Sequence, residues 1–254
     1  MNEWALITGA SSGIGYELAK LFAADRFNLV LVARNETKLN ELAGELRARH
    51  GIETKVLAKD LANSGSPQEI FDALRDTPVS VLVNNAGLGY YGPFAGRDVH
   101  SHVEIMQVNM TALVELTHLF LQPMLTRRCG RILNVASIAA FLPGPLINVY
   151  YASKAFVLSF SCALSDELAD TGVTVTALCP GTTHTDFFRR GGFGPVRASF
   201  TMSARDVAEI GYRGMMRGKR VVIPGAMNKV FAALAKRMPL AVTMSAARRI
   251  NAKK

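Results

Sequence analysis

The chain has 254 residues, of which 49% are hydrophobic and 19% charged, so it can bury a core and is not disordered, collagen-like or low in complexity. Three cysteines, no apolar run of ~18 residues and no signal-peptide pattern argue against a disulfide framework, a membrane-spanning helix and secretion, so we expect a cytoplasmic protein. The net charge of +9 hides an asymmetry, because 18 basic and 20 acidic residues precede Ile210 whereas 11 basic and no acidic residues follow from there.

Seven short apolar runs separated by amphipathic stretches predict β-strands. They are Trp4–Thr8, Leu29–Ala33, Lys55–Asp60, Val79–Asn85, Arg131–Ser137, Val173–Cys179 and Arg220–Gly225. Their almost continuous aliphatic character is typical of parallel strands that are covered on both faces. The alternation of strands and helices predicts an α/β fold, namely a three-layer, doubly wound Rossmann-type fold with a seven-stranded, mostly parallel sheet and helices on both faces.

Capping signals predict where several helices begin and end. Ser66–Glu69 reads as a capping box with a proline at the first helical position, and it opens a helix through Leu74. Ser203–Asp206 has the related pattern and opens another helix. Gly51 and Gly172 lie where helices end before the next strand.

A glycine-rich turn, TGASSGIG at Thr8–Gly15, lies between the first strand and the first helix. Gly9, Gly13 and Gly15 let the chain turn sharply and let its backbone approach a pyrophosphate at a helix N-terminus, where free N–H groups favour anions. The spacing Gly-x-x-x-Gly-x-Gly differs from the usual dinucleotide-binding fingerprint.

This variant resembles the short-chain dehydrogenase/reductase family, and further motifs of that family recur in order along residues 4–225. They are NNAG at Asn84–Gly87, the catalytic set Asn109, Ser137, Tyr150 and Lys154, and PGT at Pro180–Thr182. The resemblance implies a dinucleotide site formed by Gly9, Ser11, Ser12, Gly13, Ile14, Gly15, Arg34, Asn35, Asp60, Leu61, Asn85, Ala86, Gly87, Tyr150, Lys154, Pro180, Gly181 and Thr182. In the family, the position of Asp60 contacts the adenine amine.

The end of the second strand favours NADP(H) over NAD. A carboxylate there would accept hydrogen bonds from ribose hydroxyls and repel a 2′-phosphate, but the sequence has Ala33 and Arg34, with no acid before Glu36. A guanidinium binds a phosphate through parallel charge-assisted bonds. We expect Arg34, with Asn35, to hold the 2′-phosphate; the alternative is that Arg34 is an ordinary solvated residue.

Tyr150 and Lys154 are four residues apart on a predicted helix, so their side chains point the same way. A nearby ammonium and an oxidised nicotinamide both favour phenolate and lower the pKa of a phenol. Tyr151 is the competitor, but the family spacing Tyr-x-x-x-Lys selects Tyr150. Ser137 is expected to polarise the substrate oxygen, unless it only caps a strand end, and Asn109 resembles the residue that holds a water near the lysine.

The substrate side is predicted to be apolar. Thr182–Met202 contains Phe187, Phe188, Phe193 and Phe200 among Gly191, Gly192 and Gly194. This pattern is typical either of a lid over the substrate or of a loop that packs its own aromatic rings. With the apolar stretch Leu142–Leu146, it predicts a substrate site of Ser137, Leu142, Tyr150, Phe187 and Phe188. The expected substrate is a fatty-acyl, steroid-like or aldehyde carbonyl compound.

Residues 1–225 are expected to form one dinucleotide-binding and catalytic domain, and residues 226–254 a basic amphipathic extension. An apolar helical face of Val230, Phe231, Leu234 and Met238 is interrupted by Pro239. Charge comes from Lys236, Arg237, Arg248, Arg249, Lys253 and Lys254. The extension could dock beneath the active site, pack across a subunit interface or lie on an anionic membrane surface. Nucleic acid is disfavoured, because no base-stacking aromatics interleave with the basic residues.

Together these features predict an NADP(H)-dependent oxidoreductase that moves a hydride directly between the nicotinamide and a carbonyl or secondary alcohol. No metal is expected, because His100 and His102 have no further ligand nearby in sequence. The alternative is a non-catalytic NADP-binding regulatory protein, but such a protein has no need of the tyrosine. The resemblance also implies a homodimer or homotetramer built on helices near Thr111–Arg127 and Tyr150–Thr171.

Overall fold

The computed structural model describes residues 3–193, 201–235 and 237–252. These residues contain nine strands, which are in chain order β1 Trp4–Thr8, β2 Asn28–Ala33, β3 Thr54–Ala58, β4 Val79–Asn84, β5 Gly130–Val135, β6 Val173–Leu178, β7 Thr183–His184, β8 Met202–Ser203 and β9 Val221–Val222. Seven form one parallel sheet in the order β3-β2-β1-β4-β5-β6-β9. Each predicted apolar run supplies one of these seven strands, which confirms the predicted fold class.

In the part of the chain that the structure describes, ten α-helices connect and cover the strands. They are α1 Gly13–Ala24, α2 Glu36–His50, α3 Ser66–Asp72, α4 Val99–Met106, α5 Ala112–Arg127, α6 Asn148–Glu167, α7 Phe187–Arg190, α8 Ala204–Met216, α9 Ala226–Ala235 and α10 Leu240–Ala252. Short 3-10 turns lie at Phe94–Gly96 and Ile138–Phe141, and a π-helical turn at Gln107–Thr111 joins α4 to α5.

Two apolar cores lie on opposite faces of the sheet. On one face α1, α2 and α8 pack through fully buried side chains such as Phe22, Leu42 and Met215. On the other, α3 and α5 pack through Ile70 and Phe120. Because both faces are covered, the strands are apolar on both sides, as the sequence pattern predicts.

The strand order reverses at β1, which pairs with β2 on one side and β4 on the other. In open α/β sheets the ligand crevice lies at such a reversal, outside the carboxyl ends of the strands. The loops after β1, β2, β4 and β5 therefore converge on one edge of the sheet, where the predicted motifs lie.

The two predicted capping patterns have different outcomes. Ser203 Oγ accepts a hydrogen bond from Asp206 N at 3.0 Å, which confirms it as the N-cap of α8. The capping box at Ser66 is wrong: Gly65 is the N-cap, and Ser66 Oγ donates to the Asp60 carbonyl at 2.7 Å. The Ser66 hydroxyl therefore joins α3 to the end of β3 instead of capping the helix.

The C-terminal segment breaks into α9 and α10 around Pro239, as predicted. Its predicted apolar face is split, because Phe231 points towards the protein whereas Val230 and Leu234 are more than half exposed. Lys236, Lys253 and Lys254 lie outside the described residues. Within the described ranges, none of the helices combines the length and apolarity needed to cross a bilayer.

Candidate active site

A cavity of about 550 Å³ lies at the carboxyl ends of the central strands. It is lined by seventeen of the eighteen residues predicted for the dinucleotide and by all five predicted for the substrate. Gly15 and Asn109 are the predicted site residues that do not line it. The predicted groups thus share one cavity that reaches from the glycine-rich turn to the aromatic segment after β6.

The glycine-rich turn adopts a conformation that few other residues could adopt. Gly9 and Gly13 have φ of +67° and +60°, in the left-handed region. Ser12 precedes α1 without a side-chain cap bond, so the first N–H groups of the helix are available to an anion. This cradle fits a pyrophosphate.

Gly15 has a packing role instead of a place in the cavity wall. A Cβ there would lie 2.4 Å from Asn85 Nδ2 and 2.5 Å from the Gly9 carbonyl oxygen. The absence of a side chain lets α1 approach the loop after β4. The prediction that Gly15 belongs to the cofactor site stays a prediction.

Thr8 and Asn85 join the glycine-rich turn to the loop after β4. Asn85 Nδ2 donates to the Thr8 carbonyl at 2.8 Å, while Thr8 Oγ1 accepts from the backbone N–H groups of Asn85 and Ala86 at 3.0 Å. The neighbouring Asn84 is buried and donates to Thr117 Oγ1 and Asn134 Oδ1. The NNAG motif therefore fixes the spacing between two walls of the cavity.

Arg34 follows β2 and shares its surroundings with two carboxylates. Arg34 Nη1 lies 3.7 Å from Asp60 Oδ2 and 4.0 Å from Glu104 Oε1, and about half of its side chain is exposed. Asn35 caps α2 by accepting from Lys38 N at 2.9 Å, so its side-chain oxygen is engaged. Of the two residues predicted to hold a 2′-phosphate, Arg34 is thus the one with a charged, half-exposed side chain at the cavity wall.

Tyr150, Lys154 and Ser137 converge at the other end of the cavity. Helix α6 places Lys154 Nζ 5.8 Å from the centre of the Tyr150 ring, and Nζ donates to the Val135 carbonyl at 2.7 Å. The Ser137 hydroxyl is near enough to the Tyr150 phenol to affect its pKa, and it donates to the Pro180 carbonyl at 3.4 Å. A phenol, a hydroxyl and an amine therefore meet where β5 ends.

The pKa values of these groups shift because the site is removed from water. Desolvation raises the pKa of Tyr150 to about 12, against a lowering by the nearby Ser137 hydroxyl. Desolvation also lowers the pKa of Lys154 to about 8. Among the protein's own groups, burial thus outweighs the lowering of the phenol pKa expected from the ammonium; the lowering expected from an oxidised nicotinamide stays a prediction.

Asn109 supports the site from behind the cavity wall. It is buried in the π-helical turn, where its Oδ1 accepts from Leu88 N at 2.8 Å and its Nδ2 donates to the Leu88 carbonyl and Ser153 Oγ, both at 2.9 Å. A Cβ on Gly87 would lie 3.5 Å from Asn109 Oδ1 and 3.4 Å from Lys154 Nζ. Asn109 therefore positions the loop beside the lysine.

Tyr151 has different partners from Tyr150, although it is adjacent in sequence. Its hydroxyl donates to Asn251 Oδ1 at 3.5 Å, and its ring packs against Gly144. Asn251 is almost fully buried, donates to the Pro145 carbonyl at 2.9 Å and accepts from Tyr91 Oη through its backbone oxygen. Tyr150, and not Tyr151, therefore lies next to the Ser137 hydroxyl and the Lys154 amine.

The aromatic segment after β6 both packs on itself and faces the cavity. Phe187, Phe188 and Phe193 have ring centres within 5.7 Å of one another, and Phe187 lies 5.2 Å from Tyr150. All three line the cavity. Gly194 and Phe200, which belong to the same predicted segment, lie outside the described residues.

Sequence reasoning missed several residues of the cavity wall. The C-terminal helices contribute Phe231, Ala247 and Asn251, and the segment after β6 contributes Thr185 and Arg190. Arg190 Nη2 lies 3.5 Å from Ser12 Oγ across the mouth of the glycine-rich turn. Arg190 could not be found from sequence, because its contact with Ser12 joins residues 178 positions apart. Thr185 could have been found, because it lies only three residues after the PGT motif.

His102 packs against Phe94. His102 stacks on Phe94 with ring centres 4.5 Å apart, and its Nε2 lies 3.2 Å from the Phe94 carbonyl oxygen. Among the described residues, the His, Cys, Asp and Glu side chains form no group of three or more that could hold a metal ion.

Comparisons with known proteins agree with this geometry. A sequence model of the family described as short chain dehydrogenase matches residues 3–191. A very-long-chain 3-oxoacyl-CoA reductase of Phaeosphaeria nodorum is 42% identical over 180 residues, which cover 68% of this chain and 53% of that protein. The chain therefore spans about half the length of this curated relative.

Solved structures match over more of the chain. A short-chain dehydrogenase from Sphingobium yanoikuyae in complex with NADPH is 31% identical, with a TM-score of 0.84 over 94% of this chain and 97% of that one. A bulky-bulky ketone specific alcohol dehydrogenase from Comamonas testosteroni is 31% identical, with a TM-score of 0.80 over 92% of each chain. With the family match over most of its length, the chain belongs to the short-chain dehydrogenase family.

Proposed function

We propose that this protein is an NADP(H)-dependent oxidoreductase that interconverts an apolar carbonyl compound and its secondary alcohol. The observation that carries the proposal is the convergence of Tyr150, Ser137 and Lys154 at one end of a cavity whose other end is the glycine-rich turn. A binding protein would need the turn but not the buried phenol. This contrast disfavours the non-catalytic alternative.

The cavity fits a dinucleotide along its whole length. Left-handed glycines and free N–H groups at the start of α1 suit the pyrophosphate, Arg34 suits a 2′-phosphate, and Lys154 suits the ribose next to the nicotinamide. When bound, the reduced nicotinamide supplies a hydride to the carbonyl carbon.

In the proposed reduction, the chain's own residues handle the oxygen. The Tyr150 phenol donates its proton to the carbonyl oxygen, and the Ser137 hydroxyl donates a hydrogen bond to the same oxygen as negative charge develops there. The Lys154 ammonium, held by the Val135 carbonyl, stabilises the phenolate that remains. In the oxidation direction the phenolate accepts the proton.

The proposed substrate carries a long apolar chain or a bulky apolar ketone, with a fatty-acyl thioester as the first candidate. Leu142, Phe187, Phe188 and Phe193 surround the end of the cavity next to Tyr150, and such walls favour apolar groups. The relative from Phaeosphaeria nodorum is named for a very-long-chain 3-oxoacyl-CoA, and the neighbour from Comamonas testosteroni for bulky ketones. Both names support an apolar carbonyl substrate.

A substrate series with NADPH oxidation as the readout tests the proposal. We expect 3-oxoacyl thioesters and bulky apolar ketones to be reduced, with kcat/KM rising with apolar chain length, and short polar sugars to be poor substrates. The control is Tyr150→Phe, which removes only the phenolic hydroxyl. A series in which no carbonyl compound is turned over, although NADPH binds, would favour the regulatory alternative.

The preference for NADP(H) has its own test. Arg34→Gln removes the charge at the end of β2, so we expect the KM for NADPH to rise by about 10- to 100-fold, as the loss of a charge-assisted phosphate contact would do. The KM for NADH should change little.

The companion variant Glu104→Gln removes a carboxylate 4.0 Å from Arg34 and should lower the KM for NADPH. A lower KM for NADH than for NADPH in the wild type would overturn the preference.

We propose a homo-oligomer joined through α5 and α6, as the resemblance to the family implies. The stacked rings of Phe156 and Phe160 on α6 are partly exposed and provide an apolar surface for it. We also propose that residues 226–254 complete the substrate end of the cavity in the same chain, since Phe231, Ala247 and Asn251 belong to its wall.

A further inference from the structure

Helix α10 contacts the protein through small and polar side chains and leaves several large apolar side chains exposed. Its inner face carries Thr243, Ala247 and Asn251, each at most 6% exposed. Its large apolar side chains Leu240, Val242 and Met244 are 43–65% exposed. The buried positions of α10 are thus polar or small, while these three large apolar side chains are left partly in solvent.

Helix α9 and the turn after it extend this apolar surface. Met227, Val230 and Leu234 follow helical spacing on the outer side of α9 and are each more than half exposed. The exposed large apolar side chains of the two helices and the turn between them are here called the outer apolar face, formed by Met227, Val230, Leu234, Met238, Leu240, Val242 and Met244. Exposed apolar groups clustered in this way mark an interaction surface.

Basic side chains accompany the outer apolar face. Lys229, Arg237, Arg248 and Arg249 are exposed, and none of them pairs within 4 Å with an Asp or Glu of the described residues. The sequence from residue 226 onwards contains seven basic and no acidic residues. The partner of this surface must therefore accept apolar side chains and carry negative charge.

We propose that the outer apolar face and its basic residues bind the surface of an anionic lipid membrane. A bilayer interface takes up apolar side chains below a layer of headgroups that attracts Lys and Arg. A second copy of the chain is a poorer occupant, because the same positive charges would oppose one another across the interface. Charge complementarity therefore favours the lipid surface.

The inner side of the same two helices lines the cavity through Phe231, Ala247 and Asn251. Membrane binding would thus place the end of the cavity next to the bilayer, where long apolar molecules accumulate. This consequence rests on the proposed function, whereas the binding itself does not. Vesicle binding and turnover can therefore fail independently.

Vesicle flotation of the full chain tests the proposal. We expect flotation with vesicles that contain about one third phosphatidylserine in phosphatidylcholine, weak flotation with phosphatidylcholine alone, and release at high salt. The triple variant Leu240→Ser/Val242→Ser/Met244→Ser should bind at least about tenfold more weakly, because it removes apolar area from the contact. The variant Arg237→Gln/Arg248→Gln/Arg249→Gln should lose about 100-fold at low salt.

Two matched variants control for a general effect of surface changes. Val99→Ser/Val103→Ser/Met106→Ser removes three apolar side chains of α4 that are 46–63% exposed, and Arg49→Gln/Arg75→Gln/Arg205→Gln removes three exposed arginines elsewhere. Both should float like the wild type, with all variants checked for folding by circular dichroism. Flotation that does not depend on lipid charge, or that is unchanged in the α10 variants, would overturn the proposal. A smaller oligomer for the α10 serine variant, with no vesicle binding by the wild type, would assign the face to a subunit interface.

Discussion

At the scale of single residues, Tyr150 and Tyr151 form a natural matched pair. Both are tyrosines on α6 whose pKa is raised by desolvation, but only Tyr150 lies beside Ser137 and Lys154. Tyr150→Phe should lower kcat by about 100- to 10,000-fold, which is the usual contribution of a positioned general acid. Fluorescence titration should show unchanged NADPH binding.

Tyr151→Phe is the control for that experiment. It removes a 3.5 Å hydrogen bond to Asn251 and no group near the reacting oxygen, so kcat should stay within about threefold of the wild type. An equal loss in both variants would mean that the two hydroxyls act through the packing of α6. In that case the assignment of the acid to Tyr150 would fail.

Lys154 should make the stability of the protein depend on pH. Its pKa falls from 10.5 to about 8 on folding, so between these values the unfolded chain binds more protons and the free energy of unfolding rises with pH. Below pH 8 the buried ammonium costs about 3 kcal/mol, and this cost disappears as the pH approaches 10.5. Urea unfolding from pH 7 to 9.5 should therefore show wild type gaining stability relative to Lys154→Met.

The exposed lysine variant Lys219→Met provides the control for the loss of a lysine elsewhere. The free energy of unfolding of this variant should change with pH in the same way as that of the wild type. A constant difference between wild type and Lys154→Met at all pH values would indicate that the ammonium is solvated in the folded state. The low pKa would then have no support.

The residues of the reaction centre could be predicted because their signals are local. Tyr150 and Lys154 are one helical turn apart, and Ser137 follows a strand, so a short stretch of sequence determines each position. The dominance of desolvation over charge attraction at Tyr150 could not be predicted. It depends on how completely α6, β5 and the aromatic segment exclude water, which is a property of the assembled site.

At the scale of secondary-structure elements, two helical glycines have opposite roles. Gly15 in α1 has no room for a Cβ, which would lie 2.5 Å from the Gly9 carbonyl oxygen, whereas Gly44 in α2 has no heavy atom within 4 Å of that position. Gly15→Ala should therefore destabilise the fold by about 1–3 kcal/mol through overpacking. Gly44→Ala should stabilise it by about 0.5–1 kcal/mol through helix propensity.

Thermal unfolding of the two alanine variants measures both effects under the same conditions. Gly15→Ala should also weaken NADPH binding, because the added methyl group displaces Asn85 and the glycine-rich turn together. If both variants were stabilised equally, α1 would not pack as closely on the loop after β4 as the structure indicates.

Strands were predicted more accurately than helix starts, and the reason is physical. A buried parallel strand needs an apolar run that is visible in the sequence, and all seven runs became strands of the sheet. A serine before a helix has two possible partners, the helix backbone or a neighbouring element. Ser203 bonds its own helix whereas Ser66 bonds Asp60, and only tertiary structure decides between them.

At the scale of the whole molecule, Asn251 joins the end of the chain to three distant segments. Its side chain donates to the Pro145 carbonyl and accepts from the Tyr151 hydroxyl, while its backbone oxygen accepts from the Tyr91 hydroxyl. Asn251→Ala removes the side-chain bonds to Pro145 and Tyr151, although the backbone bond from Tyr91 is kept, and it should loosen α10 from the cavity. We expect the KM for long apolar substrates to rise about tenfold, while the KM for NADPH stays unchanged because the glycine-rich turn is at the other end.

Ser245→Ala is the matched control on the same helix, since Ser245 is exposed. It should leave both constants unchanged. A rise in the KM for NADPH in Asn251→Ala would mean that the C-terminal helices support the cofactor end as well. The packing of α10 could not be predicted from sequence, because its partners are 100 to 160 residues away.

The bond between Lys154 and the Val135 carbonyl leads to a simple donor count. An ammonium has three N–H bonds, and strand β5 uses one of them at 2.7 Å. Two remain, which is the number that the neighbouring hydroxyls of one sugar ring can accept. A planar guanidinium at this position would direct its donors into a fork and could not reach a backbone oxygen and a vicinal diol from a single nitrogen.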